Sequence, residues 1–242
     1  MGKEQRSGSL SVSTEKLCLG RKHVVLFVAT AVTSIAIAVF ILLSILTPVA
    51  VIGGGIVEGV VSFTSSRVYV LGKPVVFRAI ESVSIISLGL FIGVSITIFF
   101  SIYGLAKLLL SKKEMLSIYG NEIETAKVVD VVYLEYIPSS GLVAMLLVTL
   151  FMALLRVVVA DIIPALPLGG CVSTLAGMLC LERSSVIYTP LYIALLKNLW
   201  ILIALALLPL ALSSIAIYIE FKLYQKQIRN VLTTQPQPQR SL

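Results

Sequence analysis

The stretch Ser84–Leu110, SIISLGLFIGVSITIFFSIYGLAKLLL, runs straight into Ser111–Glu135, SKKEMLSIYGNEIETAKVVDVVYLE. The first half carries one charge, Lys107, and is long enough at ~1.5 Å per helical residue to cross a hydrocarbon layer. The second half holds Lys112, Lys113 and Lys127 against Glu114, Glu122, Glu124, Asp130 and Glu135, so it has to lie outside that layer. A membrane helix ending in a charged connection sets the frame for the rest of the chain.

Composition agrees with that frame. Hydrophobic residues make up 58% of the 242 and charged residues only 13%, about half the charged share of a soluble domain. The mean hydropathy of +1.03 belongs to a polytopic membrane protein, in which most of the surface faces lipid. The excess of 19 basic over 12 acidic residues is then read as topology and as affinity for anionic headgroups, and no nucleic-acid partner is expected. Cys18, Cys171 and Cys180 lack metal-ligand spacing, and His23 is the one histidine. No metal or cofactor is expected.

Four spans follow from hydropathy, at about 23–51, 83–110, 142–160 and 190–219, within a membrane domain covering 23–229. No charge occurs from Val24 through Val57, a run too long for the core of a cleaved signal peptide. Residues 1–22 read as a polar, basic tail, with a short interfacial helix over Leu10–Leu19 as the alternative. Residues 230–242, ending QPQPQRSL, read as disordered. Gly89 and Gly93 form a G-x-x-x-G step for helix packing. Pro190 suits a first helical turn, and Pro209 should kink the fourth helix.

The two segments on the far side differ in character. Gly53–Ser82 flanks Gly72-Lys73-Pro74 with valines, which suggests a β-hairpin of two short strands, or else an irregular loop on the membrane surface. Asp161–Thr189 is uncharged from Ile162 to Leu181, yet Pro164, Pro167, Gly169 and Gly170 break it, so a re-entrant or surface-lying segment fits better than a fifth span. Cys171 and Cys180 lie there as a candidate disulfide, or as two packed thiols.

Basic residues orient the chain. Five fall in the N-terminal tail, four in the middle connection with Lys107, and four in the C-terminal tail, whereas the far side holds four: Arg67, Lys73, Arg78 and Arg183. The expectation is an all-α protein of the cell membrane with both termini cytoplasmic. Arg156 and Lys197 are the candidate intramembrane charges. Arg156 either meets Asp161 or snorkels to headgroups, and Lys197 either binds an anion or snorkels likewise. The span cores hold no Asp or Glu on these boundaries, which speaks against proton-coupled exchange. No nucleophile–base set or phosphate-cradling loop is visible, so an enzyme is not expected.

Within the middle segment, Met115, Tyr119, Ile123 and Ala126 share one face if the segment is helical. A solvated connector is the alternative. Lys112-Lys113-Glu114-Met115, then Gly120, then Tyr133-Leu134-Glu135, resembles the coupling segment of FtsX/MacB-type ABC transporter permeases, whose motif runs R-R-E-I-x-x-L-R-A-L-G toward an L-x-E. Ser117-Ile118-Tyr119 replaces R-A-L here, and Tyr133 replaces the leucine. The resemblance implies a homodimeric permease whose residues Lys112, Lys113, Glu114, Gly120 and Glu135 couple to a separate cytoplasmic ATPase. The competing reading is a non-catalytic accessory or scaffold subunit of a larger membrane complex. A four-span adhesion protein of the claudin or tetraspanin sort also fits the topology, although the W…G-L-W-C-C signature is absent.

Overall fold

The computed structural model describes residues 16–111, 113–116, 124–166, 168–174 and 177–234. Four helical stretches are long and apolar enough to cross a membrane: Arg21–Leu46, Arg78–Leu110, Val131–Ala165 and Trp200–Lys226. This is the architecture of a multi-pass membrane protein. The order is β1 (Lys16–Leu19), α1 (Arg21–Leu46), β2 (Ala50–Gly53), β3 (Val57–Val61), β4 (Arg67–Val70), β5 (Lys73–Val75) and α2 (Arg78–Leu110). Then come β6 (Lys113–Leu116), β7 (Glu124–Asp130), α3 (Val131–Val157), a π-helical turn (Val158–Ile162) and the single turn α4 (Ile163–Ala165). The chain closes with β8 (Gly170–Thr174), β9 (Gly177–Leu181), β10 (Ser185–Tyr188), α5 (Pro190–Lys197) and α6 (Leu199–Thr234).

Several helix hydroxyls are satisfied by their own backbone, while the buried Ser101 Oγ and Ser213 Oγ have no partner among the described residues. Thr30 donates to Leu26 O at 2.9 Å, Ser34 to Thr30 O at 2.8 Å and Thr97 to Gly93 O at 2.9 Å, each a bond back to the preceding turn. Small residues then let backbones approach. A Cβ on Gly93 would stand 2.7 Å from Leu147 Cδ2, one on Gly104 2.8 Å from Ile137 Cγ1, and one on Gly141 2.0 Å from Ser213 Oγ. Gly89 has no atom within 4 Å of such a Cβ. Of the G-x-x-x-G pair, therefore, only Gly93 makes a helix contact, between α2 and α3.

The fold is not all-α. An antiparallel sheet of five strands, in the order β10-β2-β3-β4-β5, sits at one end of the bundle, and a three-stranded sheet, β1-β7-β6, sits at the other. The expected hairpin around Gly72 is present as β4–β5, with Val70 opposite Lys73. Its loop residues Leu71 and Gly72 have φ of 51° and 76°, the two left-handed positions of a type I′ turn. What local pattern did not show is that β2, β3 and a strand from the last connection, β10, join the same sheet. Tyr188 pairs with Ala50 and Ser185 with Gly53.

Four boundaries move. The first helix ends at Leu46, five residues early, because Ala50–Gly53 pairs as β2. The second begins at Arg78. The third begins at Val131 and passes through Pro138-Ser139-Ser140-Gly141, a string of turn formers. Ile137, Pro138, Ser140 and Gly141 are buried there, and the close approach of Ser213 needs a residue without a side chain at 141. Tertiary packing has overridden local preference. The fourth span breaks at Asn198 between α5 and α6, while Pro209 lies inside the continuous α6. That helix extends to Thr234, so the tail read as disordered is helical over 230–234; 235–242 lie outside the described residues.

Two further expectations change. Residues 113–116 and 124–130 are strands, antiparallel to one another with Lys113 opposite Lys127, so Met115 and Ala126 do not share a helical face; Tyr119 and Ile123 lie outside the described residues. In the N-terminal tail, Lys16–Leu19 pairs with β7 rather than forming the alternative interfacial helix. Leu17 and Leu19 are buried with Phe27, Leu134, Ile137 and Ala216.

Candidate functional site

The five-stranded sheet is the most elaborated part of the molecule. Its inner face, Ala50, Ile52, Val57, Val61 and Val68, is buried in one cluster with Ile41, Ile45, Val83, Leu90 and Phe151. Phe63, from the β3–β4 connection, packs its ring 5.6 Å from Phe151 and 6.0 Å from Tyr192. Tyr192 is fully buried and its hydroxyl donates to Ser44 O. That carbonyl is among the last of α1 and also accepts from Thr47 N at 3.1 Å, so a side chain of α5 adds a second donor where α1 ends. Ser87 of α2 lies 2.6 Å from Phe63 O. Three helices thus hold one loop of the sheet.

The two far-side connections are joined as closely. Ser184 Oγ accepts from Val57 N at 2.9 Å, and Ser184 N donates to Leu168 O at 2.6 Å. Thr189 N donates to Val49 O at 3.1 Å, and Thr189 Oγ1 to Pro48 O at 2.8 Å. Gly55 passes so near that a Cβ would lie 2.6 Å from Ser184 N.

The opposite face of this sheet is apolar and open. Ile187 stands across from Val51, Val51 from Val60, and Val60 from Arg67. Ile187 is 66% exposed, Val51 44% and Val60 39%. Tyr69 and Pro74 are paired one row over, with Glu58 across from Tyr69. Beyond the edge strand, Leu71 and Val76 are each 72% exposed. Alternation along each strand forces this result, since successive side chains point to opposite faces and these strands are apolar on both. Two-sided apolarity was visible in the valines, but only the register lines them up.

β8 and β9 form a separate two-stranded hairpin in the segment read as re-entrant or surface-lying. Cys180 is disulfide-bonded, and Cys171 is its cross-strand partner in the register. Gly169, at φ 139°, lets the base of the hairpin pass Arg183, whose Cα would lie 2.7 Å from a Cβ there.

The candidate charges scatter. Lys113 and Glu114 lie on β6, with Glu114 opposite Ala126, while Lys112 and Gly120 lie outside the described residues. Glu135 lies instead in the first turns of α3 and lines a cavity of about 430 Å³ with Glu220 of α6, Ser139, Tyr224 and apolar neighbours. The spans on their observed boundaries therefore do hold carboxylates, Glu81, Glu135, Asp161 and Glu220, of which Glu135 and Glu220 share this cavity. Near that level Lys107 Nζ lies 4.8 Å from the Tyr133 ring and 5.5 Å from the Tyr103 ring, the aromatic and basic mix of a membrane interface. Lys197 occupies the last turn of α5, where Asn198 closes the helix through Nδ2 to Ala194 O at 3.1 Å. Arg156 and Asp161 make no ion pair. Arg156 lines a groove toward α5, and Asp161 one toward α2.

No family model matches this chain, and no curated protein or solved structure matches it either.

Proposed function

We propose that this chain is a non-catalytic accessory or scaffold subunit of a larger membrane complex, which it engages through the open face of the five-stranded sheet. The observation that carries the reading is the Ile187–Val51–Val60–Arg67 row across four strands. A contiguous exposed apolar surface rimmed by charge is the usual mark of a protein contact. Arg67 at its end, with Glu58 nearby, gives that contact a polar edge. The rest of the structure serves rigidity: two connections and three helices hold the sheet in place. With the basic tails and middle connection cytoplasmic, the sheet faces outward from the cell membrane.

The test is co-purification from native membranes in mild detergent, comparing the wild type with Val60→Glu and Ile187→Glu. Both side chains point away from the core, so the folded protein should persist. Loss of a wild-type membrane partner from both variants supports the reading. An unchanged set of partners in the variants overturns it. Capture of a nucleotide-binding ATPase with all three proteins favours the ABC-permease reading instead.

A further inference from the structure

Arg156 sits in α3 five positions before Asp161, or ~7.5 Å deeper at the α-helical rise. It is the one charged residue lining a groove of about 510 Å³ between α3, α5 and α6. The other walls are hydrocarbon, among them Met152, Leu155, Leu195 and Leu202. That volume lies within the range of small-molecule sites. A guanidinium inside a span costs about 2.5–3.5 kcal/mol near the helix centre unless something pairs with it, and no carboxylate of the described residues does so here.

The break in the fourth span adds to this. α5 stops at Lys197, and α6 begins at Leu199. The first amides of α6 have no carbonyl of their own helix to bond. Ile201 N reaches Asn198 O, just before the helix, at 2.9 Å. Leu195 and Leu196, just before the break, and Leu202, just after it, line the same groove as Arg156. A helix N-terminus, favourable to negative charge, thus borders a hydrocarbon trough whose one lining charge, Arg156, is positive.

We propose that this groove seats an anionic phospholipid of the sheet-side leaflet, its phosphate on Arg156 and an acyl chain along the leucines of α5 and α6. Arginine offers a planar fork of donors to a phosphate, and its stem can lift the head toward the interface. The carboxylate of Asp161 does not compete, because it faces the α2 groove. This site is independent of the sheet face and stands or falls separately from the proposed scaffold role.

The experiment is native mass spectrometry of delipidated full-length protein titrated with phosphatidylglycerol, phosphatidylcholine or inorganic phosphate. Wild type should retain phosphatidylglycerol over phosphatidylcholine. Arg156→Gln should weaken phosphatidylglycerol binding about ten- to a hundredfold, as expected for a lost charge-assisted bond, with Arg156→Lys between. Ala153→Phe, which fills the trough and leaves the charge, should also weaken it, and this variant decides the matter if Arg156→Gln does not fold. Equal retention of the two lipids overturns the proposal, as does wild-type binding by folded Arg156→Gln or by Ala153→Phe. Competition by inorganic phosphate at equal concentration would replace the lipid with a free-anion site and equally overturn it.

Discussion

Gly55→Ala is a direct test of how the two far-side connections are joined. The new Cβ would lie 2.6 Å from Ser184 N and 2.9 Å from Arg183 C, against about 3.5–4.0 Å for ordinary carbon contacts. Both obstacles are backbone, so no rotamer change relieves them, and the chain around Ser184 has to retreat by about 1 Å. The bond from Val57 N to Ser184 Oγ, now 2.9 Å, would then stretch beyond useful length. Leaving that buried amide unpaired costs about 1–3 kcal/mol, and weakening of the neighbouring Ser184–Leu168 bond brings the sum to about 2–4 kcal/mol. If the opening is local, hydrogen exchange over 50–61 and 185–188 should quicken by about thirtyfold to a thousandfold. The three-stranded sheet at the other end should keep its wild-type rates. Gly53→Ala is the matched control, since nothing lies within 4 Å of its Cβ. Equal exchange in the two variants would refute the close-packed junction.

Three further outcomes are expected. Gly93→Leu should push α2 from α3 at Leu147 and cost about 1–3 kcal/mol, whereas Gly89→Leu should change thermal stability in detergent by less than about 0.5 kcal/mol; equal losses would place both glycines at contacts. Tyr192→Phe removes one of the two donors to the Ser44 carbonyl and should lower stability by about 0.5–1.5 kcal/mol, read by thermal unfolding in the same detergent, and an unchanged midpoint would remove Tyr192 from the closing of α1. Peptide mapping without reductant should recover Cys171 linked to Cys180, and Cys180→Ser should loosen the β8–β9 hairpin while leaving exchange in the five-stranded sheet unaltered; a Cys18–Cys180 linkage would contradict that pairing.

The four spans were legible in the sequence because lipid imposes length and hydropathy on any helix that crosses it, whatever its neighbours. The β4–β5 hairpin was legible for a similar reason: its valines and its Leu71-Gly72-Lys73-Pro74 turn are local. Residues 131–141, 113–116 and 124–130 carry local signals that point away from the structure. Proline, serines and glycine over 138–141 suggest a turn or a helix start, yet packing against α6 carries a helix begun at Val131 straight through them. Charges in the middle segment suggest an exposed helix, yet strand pairing takes its two described ends.

Sequence by itself determined a chain that crosses a membrane four times, since transfer of apolar residues depends on their composition and not on their partners. Tertiary structure alone decided that Ser185–Tyr188 adds to a sheet begun at Ala50, that Val51, Val60 and Ile187 form one exposed row, and that Glu135 faces Glu220's cavity while Arg156 faces the α5 groove. Val51 and Val60 aside, those join residues some 40 to 140 positions apart. No local periodicity encodes such distances; they follow from which helix faces and strand edges are left to satisfy one another once the bundle has closed.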